Sequence, residues 1–176
     1  MADWHFLWSL GSKVLCIELL HKARTPMELV HCIYCSASSN PKFGAADLKS
    51  LLEKARVTNA QLGITGILLF HGGSFFQVLE GDQGVVEGLY QSISADKRHS
   101  RVTKILQEPI LHRDFQDWTM GYPQASKQDI ENIPGMNDFF MDGRSYVDVS
   151  ETKARILIGA FKQGRWHATL GAHGVV

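Results

Sequence analysis

The chain has 176 residues, and its 18 basic and 18 acidic side chains cancel without forming a run of either sign. That length is sufficient to bury one substantial core. The balanced charge excludes a large electrostatic surface for nucleic acid or anionic membranes. The 3 cysteines are too few for a disulfide scaffold and favour a reducing compartment. We therefore expect a cytoplasmic protein that binds neither nucleic acid nor a membrane.

The first 26 residues are predicted to lie outside the fold. Their apolar side chains are interrupted by charges such as Lys13 and Glu18, and no run reaches the roughly 20 residues that cross a membrane. A signal peptide is not expected, because the early charge is the acidic Asp3 and no small-residue cleavage site follows. Since a clean strand opens at Met27, residues 1–26 are interpreted as a short extension or as a misassigned translation start.

From Met27 onward the sequence alternates between strand and helix patterns. Alternating or continuous apolar residues predict five strands: Leu29–Ser36, Gly63–Phe70, Ser74–Glu80, Val102–Leu111 and Trp118–Tyr122. Helical spacing predicts one helix at Ala45–Arg56 and a second that begins after Asp82, with its buried stripe between Val85 and Ile93. This order predicts an α+β fold, a ferredoxin-like βαββαβ sheet with an added fifth strand.

Helices are expected on both faces of this sheet. The two helices of the split motif cover one face, but Ile64–Phe70 is apolar on both sides and needs a second cover. A short helix is predicted at Lys127–Asn132, and Ser150 caps a longer one whose apolar stripe is Ala154, Leu157, Ile158 and Phe161. These segments form a predicted C-terminal helical cap at 125–176, behind a sheet domain at 27–124.

Patterns that signal metal binding or catalysis are absent or geometrically unsuitable. Cys32 and Cys35 lie three residues apart on a strand, so they face opposite sides with Cα atoms roughly 10 Å apart, beyond the reach of a disulfide. No second cysteine pair completes a zinc site, and the 8 histidines show no ligand spacing. No nucleophile, phosphate loop or pair of carboxylates converges. We therefore expect no metal and no enzymatic activity.

The predicted topology brings neutral polar side chains together. The first and third strands are neighbours at the sheet centre, so Tyr34 and Gln77 meet beneath the two helices, and Asn59 lies just past the first helix at the rim. A buried amide needs partners for both its carbonyl and its NH2, and a core glutamine bonded to neighbouring backbone is the alternative. A phenol and two amides around an apolar slot suit a flat heterocycle and light-driven redox chemistry better than acid–base turnover.

The chain resembles the BLUF family of blue-light sensors that use flavin. The resemblance covers about residues 28–124 and rests on five motifs taken together: Ile33-Tyr34-Cys35-Ser36, Asn59 before Gly63-Ile64-Thr65-Gly66, Gln77 before Val78-Leu79-Glu80-Gly81, Arg98-His99 and Phe115-x-x-Trp118-x-Met120-Gly121. It implies a non-covalent FAD between the two helices. The outer pocket, which would separate FAD from FMN, is not identifiable from the sequence.

The resemblance also implies roles for individual residues. Tyr34 would be the light-driven electron and proton donor, and Gln77 the switch whose hydrogen bonds to flavin and Tyr34 rearrange. Asn59 would hold the edge of the ring, and Trp118 and Met120 match the pair whose movement carries the signal outward. Further cofactor contacts are expected at the rim, from Thr58, Asp96, Arg98 and His99.

A short blue-light photoreceptor is therefore the leading functional hypothesis. The residues after Tyr122 are too few for a cyclase or phosphodiesterase, so output is expected through a protein partner or a homo-oligomer interface. Two alternatives remain: an enzyme on a ferredoxin-like sheet, such as a hydrolase of acyl phosphates or an oxygen-using flavin or haem enzyme, and a cofactor-free adaptor or oligomerisation module.

Overall fold

The computed structural model describes residues 28–123, 125–137 and 145–162, so the predicted extension at 1–26 lies outside the described residues. Its four-stranded antiparallel sheet has the order β2-β3-β1-β4. The strands are β1 (Leu29–Ser38), β2 (Thr65–His71), β3 (Ser74–Asp82) and β4 (His99–Pro109). The central pairing of β1 with β3 confirms the predicted topology.

Two helices, α1 (Ala45–Leu62) and α2 (Gln83–Ala95), pack on one face of the sheet. The Asp82 carboxylate caps α2 by accepting hydrogen bonds from the amides of Gly84 and Val85, as predicted. The buried residues between these helices and the sheet form the helix-side cluster: Val30, Cys32, Tyr34, Leu48, Leu52, Ile64, Leu68, Phe75, Leu79, Val86 and Met120.

Helix α1 is longer than predicted. It continues past Arg56 to Leu62 and ends at Gly63, whose φ of +64° provides the left-handed conformation that favours glycine. Asn59 therefore lies in the last turn of α1, and its predicted position beyond the helix was wrong. Val57 and Thr58, just before this turn, are β-branched and therefore weak helix formers. Hydrogen bonds from Arg56 and Asn59 to the segment at 119–120 offset that weakness.

The C-terminal segment covers the opposite face, as expected. It contains α3 (Lys127–Glu131), a 3₁₀ turn (Tyr146–Asp148) and α4 (Glu151–Lys162). The Ser150 hydroxyl accepts a hydrogen bond from the Lys153 amide at 3.4 Å, and Ala154, Leu157 and Ile158 are buried. The side chain of Phe161 lies outside the described residues. These helices and the sheet bury the cap-side cluster, which includes Ile33, Ile67, Leu69, Phe76, Val78, Ile130, Met136, Tyr146 and Leu157.

The predicted fifth strand at Trp118–Tyr122 is present only as an isolated parallel bridge between Ile67 and Gly121. The segment hydrogen-bonds to β2 through Gly66 N to Trp118 O at 2.9 Å and Leu68 N to Gly121 O at 2.8 Å. Residues two apart share a face in a regular strand. Trp118 instead packs against the cap-side cluster and Met120 joins the helix-side cluster, so the backbone here is bent.

Within residues 28–123, 125–137 and 145–162, no helix combines the length and the hydropathy that crossing a membrane requires.

Candidate functional site

Tyr34 and Gln77 are register partners on the two central strands, and both are buried. The phenol of Tyr34 donates a hydrogen bond to Oε1 of Gln77. Burial raises the pKa of Tyr34 well above its ordinary value, so the phenol keeps its proton and remains a donor. The ring of Tyr90 on α2 meets the Tyr34 ring edge-on, with centroids 5.5 Å apart. The phenol is therefore held in one orientation beneath the helices.

The NH2 group of Gln77 also has a partner. Its Nε2 donates to the sulfur of Met120 at 3.5 Å, so the two hydrogen bonds of the buried amide go to side chains. The alternative of a core glutamine bonded to neighbouring backbone was therefore wrong. A thioether is a weak acceptor, and the NH2 end of this amide is consequently held less firmly than its carbonyl end.

Helix α1 fixes the segment that carries Met120. Asn59, which is 2% exposed, donates from Nδ2 to the carbonyl oxygen of Thr119 at 2.6 Å. Arg56 donates from Nε to the carbonyl oxygen of Met120 at 3.1 Å. The sequence did not single out Arg56, although its spacing of three residues from Asn59 places both on one helix face. The last two turns of α1 therefore determine where Met120 lies.

A cavity of about 170 Å³ opens between α1 and α2 above these residues. Every residue predicted to contact a cofactor lines it: Tyr34, Thr58, Asn59, Gln77, Asp96, Arg98 and His99. The remaining wall is formed by Leu51, Ala55, Leu89 and Ile93, together with Lys54. Its interior is therefore a mainly apolar slot with a phenol and two amides, and its charges lie at the mouth.

Polar residues at the mouth form a local network. The Arg98 guanidinium donates to the Asp96 carboxylate at 2.9 Å and lowers the pKa of Asp96 to about 2. His99 Nδ1 lies 3.1 Å from the Ser36 hydroxyl, and its ring packs against Phe75 with centroids 5.3 Å apart. Burial lowers the pKa of His99, so its imidazole is neutral at pH 7.

A second, larger cavity of about 380 Å³ adjoins the first and shares Leu51, Lys54, Arg98 and His99 with it. Its other walls carry hydroxyl groups, the rings of Phe43 and Phe75, the cationic side chain of Lys97 and the carboxylate of Asp47. Because the two cavities share four residues, they form a continuous groove, with two cations besides Arg98 and one acid around its outer part.

Trp118 does not line either cavity. Its indole packs on Phe115 with centroids 6.0 Å apart and an angle of 20° between the rings, on the side of the C-terminal helices. Met120 takes the position beside Gln77 instead. The structure thus brings one of the two predicted signal residues to the site and places the other behind the sheet.

Cys32 and Cys35 line neither cavity. Cys32 and Cys35 are both buried and free, and burial raises the pKa of Cys32 to about 12. Across the described ranges, no group of His, Cys, Asp or Glu side chains could hold a metal ion. The donor set of one phenol and two amides fits a neutral, flat ligand whose edge presents both donors and acceptors.

The fold and this slot define a small α+β domain with room for a flat ligand between α1 and α2. The family model for BLUF, described as sensors of blue light using FAD, matches residues 29–121. The chain therefore belongs to the BLUF family.

Relatives and solved structures show the same similarity. The photoactivated adenylate cyclase subunit alpha of Euglena gracilis is 36% identical over 94 residues, which is 53% of this chain and 9% of the relative. The chain thus spans about a tenth of the length of the curated relatives it matches. The photo-activated state of BlsA superposes with a TM-score of 0.64 at 29% identity, covering 76% of this chain and 94% of BlsA. The dark-state structure of BlrB, a BLUF protein, gives a TM-score of 0.56 at 33% identity, covering 76% and 97%.

Proposed function

We propose that this protein is a blue-light photoreceptor that binds FAD non-covalently between α1 and α2, with Tyr34 and Gln77 as the photochemical pair. The observation that carries the proposal is the hydrogen-bonded series Tyr34–Gln77–Met120, whose first two members line the inner cavity while Met120 lies behind Gln77. Its central amide can reverse, which exchanges a donor for an acceptor at both ends.

A bound flavin would supply absorption of blue light and an electron acceptor. Tyr34 would be the electron donor, and its phenolic proton would move along the existing hydrogen bond to Oε1 of Gln77 and return together with the electron. The amide of Gln77 would rotate or change tautomer while the proton is away, and that rearrangement would be what remains after the electron has returned. Asn59 holds the ring edge, and Thr58, Asp96, Arg98 and His99 surround the outer part of the ligand.

The signal then leaves through Met120. Rearrangement of Gln77 removes the NH2 donor from the Met120 sulfur and releases the Met120 side chain, while Asn59 and Arg56 continue to hold the backbone of this segment. Because Trp118 lies two residues away on the opposite face, a shift of this segment changes packing behind the sheet. This is the role we propose for the pair Trp118 and Met120.

The groove favours FAD over FMN. Its outer cavity is larger than the inner one, and Lys54, Lys97 and Arg98 surround it. Cationic side chains suit a diphosphate, and Phe43 offers an aromatic face to an adenine. Titration of the flavin-free protein should therefore give tighter binding of FAD than of FMN. The Lys97→Gln variant should narrow that difference, and equal affinities in the unmodified protein would contradict it.

We further propose the division into a sensor domain at 27–124 and a helical cap at 125–176. In this arrangement the chain is not itself an enzyme and passes its output to a cytoplasmic protein partner or a second copy of itself. The photoactivated adenylate cyclase subunit alpha named above carries most of its length outside the matched region, which agrees with a sensor domain that regulates a separate output.

Spectroscopy of the purified protein tests the proposal. The protein with added FAD should be yellow, and illumination should move its absorption band reversibly to longer wavelength. The Gln77→Leu variant should keep FAD and lose this shift. Gln91→Leu is the matched control, because Gln91 is an exposed glutamine on α2. A colourless protein that rejects FAD would overturn the proposal in favour of the cofactor-free adaptor.

A further inference from the structure

A row of polar side chains crosses all four strands on the face that the C-terminal helices cover. Its members are register partners on neighbouring strands and therefore point to the same face: Thr65, Glu80, His31 and Glu108. The next row on this face is apolar and belongs to the cap-side cluster. The function proposed above uses none of these four residues, which we call the polar row.

Glu80 is fully buried, and its carboxylate holds the loop that leads to Met120. Oε1 accepts a hydrogen bond from the amide of Asp114 at 3.0 Å, and Oε2 accepts one from the amide of Phe115 at 3.0 Å. The hydroxyl of Thr65 donates to Oε2 at 3.2 Å. A buried carboxylate is tolerated only with such partners, so the position of this loop is strongly determined by Glu80.

Arg113 closes the same loop from its other side. Its guanidinium donates to the carbonyl oxygens of Glu80 and Gly63, each at 2.7 Å, and to the hydroxyl of Thr65 at 2.9 Å. The start of the loop is therefore bonded to both β2 and β3. The segment at 118–121 has further attachments, which are its backbone hydrogen bonds to β2 and the side chains of Arg56 and Asn59.

The opposite end of the polar row is bonded to α4. Arg155 makes two parallel hydrogen bonds to the Glu108 carboxylate, at 2.9 Å each, and His31 Nε2 lies 3.1 Å from the same carboxylate. Arg155 also contacts Glu151 within the helix at 3.0 Å. A bidentate pair fixes orientation as well as distance, so β4 positions the first half of α4.

The end of α4 contacts the loop at the other end of the row. Lys162 Nζ lies 2.6 Å from Oδ2 of Asp114, the residue whose amide bonds to Glu80. Arg155 and Lys162 are seven residues apart, about 10 Å along a helix axis. Glu80 and Glu108 are separated by two strand spacings, also about 10 Å. The spacing of the two cations on α4 therefore matches the width of the row.

The two halves of the row are not joined directly at its centre. Within the described ranges, the buried Nδ1 of His31 has no hydrogen-bond partner, and no hydrogen bond connects His31 with Glu80. Helix α4 links the loop to β4, because Lys162 contacts Asp114 of the loop and Arg155 contacts Glu108 of β4.

We propose that Glu80 and Asp114 are positioning residues of the light switch, which hold the Met120 segment in place and couple it to α4. Displacement of Met120 then strains the loop at Asp114 and loosens the Asp114–Lys162 contact, while Arg155 keeps the first half of α4 in place. Helix α4 is thereby the output element of this chain. This inference rests on the proposed function, because it requires Met120 to move when Gln77 rearranges.

Hydrogen exchange of the α4 amides tests the coupling in two settings. In the flavin-free protein, Asp114→Asn and Lys162→Gln should each speed this exchange by roughly two- to fivefold, the range expected for a partly exposed ion pair. The double variant should be no faster than either single one. Asp114→Glu should restore most of the protection. Lys127→Gln is the matched control, because its ion pair with Glu131 lies within α3.

In the FAD-bound protein, illumination should speed exchange in α4, and Asp114→Asn should reduce that light-dependent increase by at least half. An unmodified protein that shows the spectral shift but exchanges α4 equally in light and dark would overturn the coupling and leave the proposed function intact. Absence of the spectral shift would overturn the proposed function instead. Unchanged exchange in flavin-free Asp114→Asn and Lys162→Gln would overturn the coupling in either case.

If Asp114→Asn fails to fold, Lys162→Gln tests the same contact from the lysine side, and Asp114→Glu tests it with the carboxylate retained. Lys162 is suited to this because its side chain is 43% exposed and contributes little to the core.

Discussion

Tyr34 and Gln77 face each other across the two central strands, and the phenol donates its hydrogen bond to the amide oxygen. The same amide donates from its nitrogen to Met120, so one carboxamide joins β1 to the segment beside β2. Reversing this amide would place its NH2 group against the Tyr34 oxygen and its carbonyl oxygen against the Met120 sulfur, which has no hydrogen to donate. The orientation of Gln77 therefore determines whether these two parts of the molecule are connected.

Tyr34→Phe should keep the fold and FAD binding but abolish the ordinary light response. The substitution removes the phenolic hydroxyl and its hydrogen bond to Gln77, while the ring continues to pack against Tyr90. Difference absorption spectra before and after illumination measure the outcome. Tyr146→Phe is the matched control, because Tyr146 is equally buried but lies on the opposite side of the sheet. A normal spectral shift in Tyr34→Phe would contradict the proposed mechanism.

Met120→Leu should preserve FAD binding and alter the rate at which the illuminated protein returns to the dark state. Leucine fills nearly the same volume but cannot accept a hydrogen bond, so the Gln77 NH2 loses its partner in the dark. Unfolding by urea should show a loss of about 1 kcal/mol, typical of one hydrogen bond. Met136→Leu, a fully buried substitution in the cap-side cluster, should leave the recovery rate unchanged. Equal recovery rates in the two variants would show that the sulfur contact has no part in the switch.

Folding stability of the flavin-free protein should fall as the pH decreases from 7 to 5, with His99 contributing to the loss. The folded state lowers the pKa of His99 below its ordinary value of 6.5, chiefly by burial, with Asp96 opposing and Arg98 assisting that shift. The unfolded chain therefore binds more protons in this range, and stability rises with pH until the unfolded His is neutral. His99→Phe should flatten the dependence measured by urea unfolding at each pH.

The control for that measurement is His71→Gln, at the hairpin between β2 and β3 and away from the cavity. Its pH dependence should match that of the unmodified protein. A His99→Phe profile identical to the unmodified one would show that burial of this imidazole does not affect stability.

Gly66→Ala should destabilise the protein by at least about 2 kcal/mol, because it combines backbone strain with a steric clash. Gly66 has a φ of +156°, and a Cβ there would lie 1.9 Å from the carbonyl oxygen of Val78. The backbone of Gly66 itself also hydrogen-bonds to Trp118 and Gly121. Thermal unfolding measures the change. Gly88→Ala is the control, because a Cβ added at Gly88 in α2 would meet no atom within 4 Å, and it should be neutral or stabilising. A similar loss of stability in both variants would exclude strain and steric clash at Gly66 as the cause.

The sheet and the inner part of the site could be predicted because they follow from local pattern. Alternating apolar residues fixed the faces of the strands, and the order of elements placed Tyr34 beside Gln77. The rim residues were predicted from the family resemblance, and all four line the inner cavity: Thr58, Asp96, Arg98 and His99. Their roles toward a ligand remain predictions.

Two parts of the prediction depended on contacts that a sequence does not display. The end of α1 was predicted too early because weak helix formers follow Arg56. The hydrogen bonds of Arg56 and Asn59 to the 119–120 backbone stabilise the last turns of the helix, and the sequence does not display them. The fifth strand was not found as a strand, since Trp118 and Met120 turn to opposite faces. The roles of Glu80 and Asp114 were not anticipated for the same reason.

The sequence by itself determined the fold class and the neighbours across the central strands, because hydrophobic period and element order act locally along the chain. Its five motifs together identified the family. Only the tertiary structure decided that Met120 rather than Trp118 meets Gln77, and that α4 contacts the loop at Asp114. Those choices depend on packing between segments far apart in sequence, where hydrogen bonds and ion pairs form only after the sheet has brought the partners together.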